Sequence, residues 1–228
     1  RGSFLLMALL SRSELEKALI RSGSRPRLSG VDLSGLDLQG FDFSNVLLLR
    51  SDLSRCNLMD SQFENAYLTG STLVGSDLKR ATFSGECHEI DLSKSDLTEA
   101  ILDHANLHRA KLIECQASAI SCKGTNLSRA ILSGAHFDTG DFSACNLSAA
   151  DLTSMHLLHS NCDRANFSDS SMVTARLTGS TFHQAIFRNA RLVAIRATGV
   201  RFEAAILEKT SFTDAKLQKA NFKKSRGL

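Results

Sequence analysis

The chain has 228 residues, of which 43% are hydrophobic and 22% are charged, so a disordered chain is excluded. The formal net charge of +3 is too small to indicate nucleic-acid or membrane binding by itself. Aromatic residues make up only 6% of the chain, with 13 Phe, one Tyr and no Trp, and so narrow a choice of large side chains favours an internal repeat.

The first predicted element is a short helix that precedes the repeats. Ser11 and Glu14 have the spacing of a capping box, and an apolar stripe follows at Leu15, Ala18 and Leu19. Gly23 and Pro26 predict its end. Together with the apolar run Phe4–Leu10, which is too short to span a membrane, this helix makes up a predicted N-terminal segment, residues 1–25.

A five-residue period begins after this helix. A first block of twelve steps carries only Leu or Phe, at Leu28, Leu33, Leu38, Phe43, Leu48, Leu53, Leu58, Phe63, Leu68, Leu73, Leu78 and Phe83. The phase then slips by one residue, resumes at Leu92 and holds to Phe222. A period of five fits neither a helix (3.6) nor a strand (2.0), so it predicts a chain that turns a corner every five residues.

The residue two places before each large residue is usually small, and it is predicted to point inward as well. After the slip, Cys87 is a better large inward residue than His88, because a buried imidazole would need a partner. All six cysteines then fall at inward positions: Cys56, Cys87, Cys115, Cys122, Cys145 and Cys162. They are interpreted as reduced core thiols of a cytoplasmic protein rather than as disulfides or metal ligands.

A second period of twenty residues sets the size of one coil. Phe43, Phe63 and Phe83 are twenty apart, and after the slip the same column continues to Phe142, Phe182, Phe202 and Phe222. Four five-residue units therefore make one coil, and like side chains stack. About ten coils at a spacing of about 4.8 Å predict an all-β solenoid on the order of 48 Å long.

Units such as Ser-Asp-Leu-Ser at 51–54 and Cys-Asn-Leu-Ser at 145–148 resemble the pentapeptide-repeat family. The resemblance implies a right-handed quadrilateral β-helix, here assigned to residues 26–224 and followed by a basic tail, 225–228. The helix before it is expected to cap one open end, over bulky first-coil residues at Val31, Leu36, Phe41 and Val46. The other end has no such helix, which leaves docking or dimerisation there open, and the oligomeric state is not predicted.

Catalytic motifs are missing from the sequence, so no enzyme activity, cofactor or metal site is predicted. Stacked carboxylates such as Asp32 and Asp52 are interpreted as a solvated face. His136 and His156 should stack one coil apart, but the sequence offers no third metal ligand.

Charge is segregated along the predicted rod. Residues 175–228 carry 11 Lys and Arg against three Asp and Glu, a net charge of +8, whereas residues 1–110 have a net charge of −3. One outward column runs from acid to base: Asp37, Asn57, Asp77, Asp96, Gln116, His136, His156, Arg176, Arg196 and Lys216. The gradient is either drift within a repeat array or a docking surface for an acidic partner, with candidate binding residues Arg176, Arg191, Arg196, Arg201 and Lys216.

A protein-interaction scaffold or adaptor module is the first hypothesis for function, because solenoids offer long faces and few pockets. The family resemblance implies that such a module could lie within a larger secreted effector or secretion-associated protein, in the bacterial or a host cytoplasm. Mimicry of DNA to modulate gyrase or another topoisomerase is an alternative, although the basic third departs from the acidic rods that do this. Nucleic-acid or other anionic-partner binding is a second alternative, and it lacks outward aromatic residues for base stacking except Tyr67.

Overall fold

The structure is a computed structural model that describes residues 11–21 and 25–227. The apolar run Phe4–Leu10 and the helix-ending Gly23 lie outside the described residues. Helix α1 covers Arg12–Arg21, and the extended strands β1, Gln62–Tyr67, and β2, Thr82–Glu86, pair in parallel. Elsewhere the backbone pairs through single parallel bridges, one in every five residues. None of the helices in the described part of the chain has the length and apolar character that crossing a bilayer requires.

The bridges form four parallel ladders in which each residue pairs with the one 20 residues further along, or 19 across the phase slip. We name each ladder by its two ends: Arg27–Arg226, Asp32–Ser211, Asp37–Lys216 and Asp42–Asn221. The chain visits the four ladders in turn and returns to the first after four units. The fold is therefore a repeat β-solenoid, as the two periods predict. The last bridge joins Ile206 to Arg226, so backbone pairing extends into the predicted tail.

The Leu and Phe of the five-residue period fill the interior of the solenoid. Those from Leu28 to Leu207 are buried, and the aromatic column stacks face to face, with ring centroids 5.0 Å apart for Phe43 and Phe63 and 4.6 Å for Phe63 and Phe83. In the last described turn Phe212, Leu217 and Phe222 are only partly buried. Burial of a large apolar side chain contributes about 1.5–3 kcal/mol, so this column is a main source of stability.

Most corners are β-turns closed by a hydrogen bond from the N–H of one residue to the carbonyl of the residue three places before it. The N–H of Ser51 donates to the carbonyl of Leu48, and Arg50 within that turn has a φ of 54°. The left-handed conformation recurs every five residues, and most of these corners are not glycine. Gly30 is one of the corners that do carry glycine, with a φ of 72°. A side-chain oxygen helps to fix many corners, because the Asp or Asn of the ladder accepts a hydrogen bond from the N–H two residues on, as Asp52 does from Ser54 (2.8 Å).

The phase slip lies between β1 and β2. Phe63 pairs with Phe83, but Ala66 pairs with Gly85. Between these two pairs β1 therefore contains one more residue than β2, which forms a bulge. The unmatched N–H of Asn65 donates to the Ser84 hydroxyl at 3.0 Å. Cys87 is fully buried and takes the next large inward position, which confirms the prediction from sequence.

Helix α1 packs on the first turn of the solenoid. Its capping box is present, since the Ser11 N–H donates to Glu14 at 2.8 Å and the Glu14 N–H donates to the Ser11 hydroxyl at 3.3 Å. Leu15 is fully buried within the core. The Arg12 guanidinium donates to the carbonyls of Asp37 and Gln39 and lies 5.7 Å from the centre of the Phe41 ring.

Candidate protein-binding face

The Asp37–Lys216 ladder is a row of outward side chains that runs the length of the solenoid. Each member directly precedes an inward residue of the five-residue period, and successive strand side chains point to opposite faces, so the row faces solvent. The ladder follows the order predicted from sequence: Asp37, Asn57, Asp77, Asp96, Gln116, His136, His156, Arg176, Arg196 and Lys216.

The acidic half of this ladder is partly neutralised by neighbours. The Asn57 amide donates to the Asp37 carboxylate at 2.9 Å. Lys79, which follows the ladder at a corner, places its Nζ 3.1 Å from Asp77 and 3.0 Å from Asp96. Partial burial raises the pKa of Asp96, but hydrogen bonds from Thr98 and Lys79 outweigh that effect, and the net shift is downward. Asp96 is therefore held in its ionised form.

Two histidines separate the acidic and basic halves. The rings of His136 and His156 lie against each other in a tilted arrangement, with centroids 4.0 Å apart and an interplanar angle of 43°. Burial lowers the pKa of His156, and the nearby His136 and Arg176 lower it further. Within residues 11–21 and 25–227 there is no cluster of three or more His, Cys, Asp or Glu side chains that could hold a metal ion.

The basic half is exposed and unpaired. Arg176, Arg196 and Lys216 occupy three successive turns, and none of them has an ion pair or a side-chain hydrogen bond to any other described residue. Arg191 and Arg201, which lie on the two neighbouring ladders, are equally exposed and unpaired in the described part of the chain. The structure therefore places three of the five candidate binding residues on one face and the other two on the two adjoining faces, all near the same end of the solenoid.

The corners that border Arg176 and Arg196 carry small side chains. They are Thr174 and Ala194 on one side, and Gly179 and Gly199 on the other, whereas Asp214 and Lys219 border Lys216 and His159 borders His156. A partner could therefore approach Arg176 and Arg196 without meeting large side chains at these four corners.

The other polar groups singled out from sequence serve the fold. Asp32 and Asp52 pair in one ladder, and each accepts the N–H two residues ahead, from Ser34 and from Ser54. All six cysteines are buried, as their inward positions predict. Burial raises the pKa of Cys56 to about 11 and that of Cys87 to about 12, so these thiols are poor nucleophiles at neutral pH.

Sequence reasoning missed a row of asparagines on the Arg27–Arg226 ladder. The Asn106 amide donates to Glu86 at 2.7 Å, and the Asn126 amide donates to Asn106 at 3.0 Å. The recurrence of Asn at twenty-residue spacing could have revealed it. The row satisfies its own hydrogen bonds along the ladder, so it stabilises the face and offers a partner few free donors.

The family model for pentapeptide repeats matches the chain in eight copies, over residues 27–65, 50–85, 90–119, 120–157, 145–184, 160–196 and 198–226. The chain belongs to the pentapeptide-repeat family. A pentapeptide repeat protein of Vibrio parahaemolyticus, VPA0095, is 38% identical over 61 residues, which are 26% of this chain and 28% of that protein. The chain thus matches less than a third of the length of this curated relative.

Two solved structures of pentapeptide-repeat proteins align with most of this chain. HetL from the cyanobacterium Nostoc, a protein involved in heterocyst differentiation regulation, is 23% identical, with a TM-score of 0.56 over 92% of this chain and 94% of that one. QnrB1, a plasmid-mediated fluoroquinolone resistance protein, is 16% identical over 87% of this chain and 90% of that one, with a TM-score of 0.37. At these identities the likeness to HetL establishes the fold and leaves the partner unnamed.

Proposed function

We propose that this chain is a non-enzymatic protein-binding scaffold whose basic half-face receives an acidic partner. The observation that carries the proposal is the set of five exposed cations around one end of the Asp37–Lys216 ladder, none of which is paired with another described residue. Cations that make no structural contact leave their charge available to a partner. An interface of this kind gains specificity and association rate from charge complementarity.

We also infer the cross-section and handedness of the solenoid, the role of helix α1 and the compartment of the protein. The four ladders and the twenty-residue register support a quadrilateral solenoid of about ten turns, and its right-handed sense follows from membership of the family. Helix α1 acts as a cap, because Leu15 and Arg12 cover the first turn, whose strand edges would otherwise be open. We place the scaffold in a cytoplasm, free or as a module of a larger effector or secretion-associated protein, because its six thiols are unpaired.

Two other hypotheses, mimicry of DNA and binding of nucleic acid, fit the face less well. A DNA mimic that acts on a topoisomerase needs an acidic rod, whereas the face most open to a partner here is cationic at one end. Binding of single-stranded nucleic acid is favoured by exposed aromatic rings beside the cations. The one tyrosine, Tyr67, lies on the Arg27–Arg226 ladder under the Arg25 guanidinium, 4.7 Å from ring centre to charge, and so is remote from the basic half.

A charge-reversal experiment tests the scaffold proposal. The face variant Arg176→Glu/Arg196→Glu/Lys216→Glu and the wild type would be immobilised and exposed to extract of the source cells and, separately, to fluorescent poly-L-glutamate. We expect the face variant to bind poly-L-glutamate at least about tenfold more weakly, since three attractive contacts of about 0.5–1 kcal/mol each become repulsive. A partner that is captured by the wild type should be lost from the face variant.

The matched control reverses three cations elsewhere. Arg129→Glu/Lys209→Glu/Arg226→Glu changes the net charge equally, but these residues lie on or beside the Arg27–Arg226 ladder, two ladders away. The control should keep the captured protein and most of the affinity. Equal losses in both variants would show that net charge alone governs binding, and no loss in the face variant would refute the proposed face.

A further inference from the structure

The charges of the Asp37–Lys216 ladder are arranged so that its two halves complement each other about its midpoint. The midpoint falls between Gln116 and His136, with five ladder residues on either side. Counted outward from it, the facing positions are Gln116 with His136, Asp96 with His156, Asp77 with Arg176, Asn57 with Arg196, and Asp37 with Lys216. Three carboxylates on one side thus correspond, position for position, to one histidine and two cations on the other.

We propose that the partner of this face is a second copy of the chain, packed face to face with its axis antiparallel. A two-fold axis through the midpoint, lying in the plane of the face and perpendicular to the rod, brings each half onto the opposite half of the other copy. A two-fold interface is isologous, so each pair of ladder positions occurs twice. The rungs recur at the same spacing of about 4.8 Å in both copies, so alignment of one pair aligns all of them.

The other three ladders lack this arrangement. The Arg27–Arg226 ladder has asparagines at its centre and an arginine at each end. The Asp32–Ser211 and Asp42–Asn221 ladders each carry a single arginine in their last five positions, at Arg191 and Arg201. Drift in a repeat array would spread charge over all four ladders, whereas the balanced gradient is confined to one.

The direction of packing follows from the same charges. A parallel dimer, with its two-fold axis along the rod, would place Arg176, Arg196 and Lys216 against their own copies. Like charges held opposite one another destabilise an interface. Antiparallel packing removes this repulsion and replaces it with opposite-charge pairs, so one of the two symmetric arrangements is strongly preferred.

The borders of the face also tolerate the antiparallel arrangement. The two-fold axis places each edge of the face against the same edge of the other copy. The corner at Glu99 therefore lies opposite that at His159, and the corner at Asp60 lies opposite Gly199. Along the other edge, Arg55 comes opposite Ala194 and Lys94 opposite Ser154. No charged corner therefore meets one of like charge.

The size of the face predicts a weak dimer. A strip about 48 Å long and about 10 Å wide is roughly 500 Å² per copy, about 1,000 Å² in total, which is the lower limit for a specific interface. Lys79 already neutralises part of the charge on Asp77 and Asp96, which weakens the attraction further. Affinity should accordingly depend steeply on ionic strength, because exposed charge pairs are screened at about 0.5 M salt.

This inference rests on the proposed function, because it names the acidic surface that the basic half-face receives. The scaffold proposal and the dimer proposal can nevertheless be refuted independently of each other. A chain that stays monomeric but loses a captured partner in the face variant would remain a scaffold without self-association. A chain that dimerises through this face but captures nothing would support self-association alone.

A charge-swap experiment tests the dimer. The basic variant is Asp37→Lys/Asp77→Lys, and the acidic variant is Arg176→Asp/Lys216→Asp; in each, every altered position of one copy would face a like charge on the other. We expect the wild type to dimerise at about 0.02 M salt in sedimentation equilibrium, at concentrations up to about 1 mM, and to dissociate at about 0.5 M salt. Each variant alone should be monomeric, and an equimolar mixture should form a one-to-one dimer at low salt.

A control and three outcomes make the test decisive. Arg129→Asp/Arg226→Asp changes net charge as the acidic variant does, but lies off the face, and should dimerise like the wild type. Circular dichroism would establish that all variants are folded. A wild type that stays monomeric at low salt, a variant that still self-associates, or a mixture that fails to combine would each overturn the antiparallel dimer.

Discussion

The two ends of the Asp37–Lys216 ladder share one backbone and differ in how their charges are used. At the acidic end, Lys79 lies between Asp77 and Asp96, and Arg80 forms a two-pronged ion pair with Asp60, with N–O distances of 2.7 and 2.9 Å. At the basic end, the ladder cations have no ion pair with any described residue. The turns beneath both ends are nonetheless built alike, with the same bridges and the same kind of core.

This difference separates what the fold needs from what a partner could use. The backbone bridges and the inward side chains are repeated from turn to turn, so stability is roughly a sum over neighbouring turns. The outward ladder residue is free to vary, because only its backbone enters the bridge. A run of unpaired like charges therefore adds nothing to the fold, and its persistence over three turns favours a role in binding.

Core truncations at the two ends should have the largest effects, and these should be equal. Phe63→Ala lies under the acidic end and Phe182→Ala under the basic end, and both rings are fully buried and stacked, Phe182 on Phe202 at 5.3 Å. Each should lower the free energy of unfolding by about 3–5 kcal/mol, measured by urea denaturation. A small effect at one end alone would contradict the view that the two ends share one core.

The core was predictable because burial forces a regular choice of side chain. The rule of Leu or Phe at every fifth position identifies the interior from sequence, and the twenty-residue column of Phe43, Phe63 and Phe83 sets the size of the turn. The corners were less predictable, since thirty of the left-handed positions in the described residues are not glycine and include residues such as Arg50 and Ala119. Asp and Asn side chains stabilise many of these corners, and composition alone does not show that role.

The order of residues along the candidate face could be predicted from sequence, but which of its charges are free to bind a partner could not. The order of charges could be read from the sequence once the period was known. Whether Arg176 and Arg196 pair with nearby carboxylates depends on where the corner side chains lie, and the five-residue period does not predict that. The pairing of Lys79 with two ladder carboxylates arises in that way, and it was not foreseen.

The phase slip offers a second comparison, between a glycine that the fold requires and one that it does not. A Cβ on Gly85, whose φ is 95°, would lie 3.0 Å from the Ala66 carbonyl oxygen and from the Asn65 Cα. A Cβ on Gly199, whose φ is 67°, would meet nothing within 4 Å. Gly85→Ala should therefore cost about 1–3 kcal/mol and Gly199→Ala less than about 1 kcal/mol, measured by thermal and urea denaturation. Equal costs would mean that the slip carries no special constraint.

The smallest expected effects, of opposite sign, test the charges of the two ends directly. Lys79→Gln removes the cation between Asp77 and Asp96 and should cost about 0.5 kcal/mol at pH 7 and low salt. Arg196→Gln removes a charge from between Arg176 and Lys216 and should raise stability by about 0.2–0.5 kcal/mol. Urea denaturation at low protein concentration measures both without interference from self-association.

The pH dependence of the Lys79→Gln effect follows from the shifts of its partners. The pKa of Lys79 is raised by its hydrogen bonds to Asp96 and Asp77, so the stabilisation is present below the unfolded lysine pKa and is lost as pH rises above it. The pKa of Asp96 is lowered, so the stabilisation is present above the unfolded aspartate pKa of about 3.9 and is lost as pH falls through the folded value. The cost of Lys79→Gln should therefore be constant between about pH 5 and pH 9 and disappear in acid. A cost that persists when Asp77 and Asp96 are protonated would reflect lost packing of the lysine stem instead of charge.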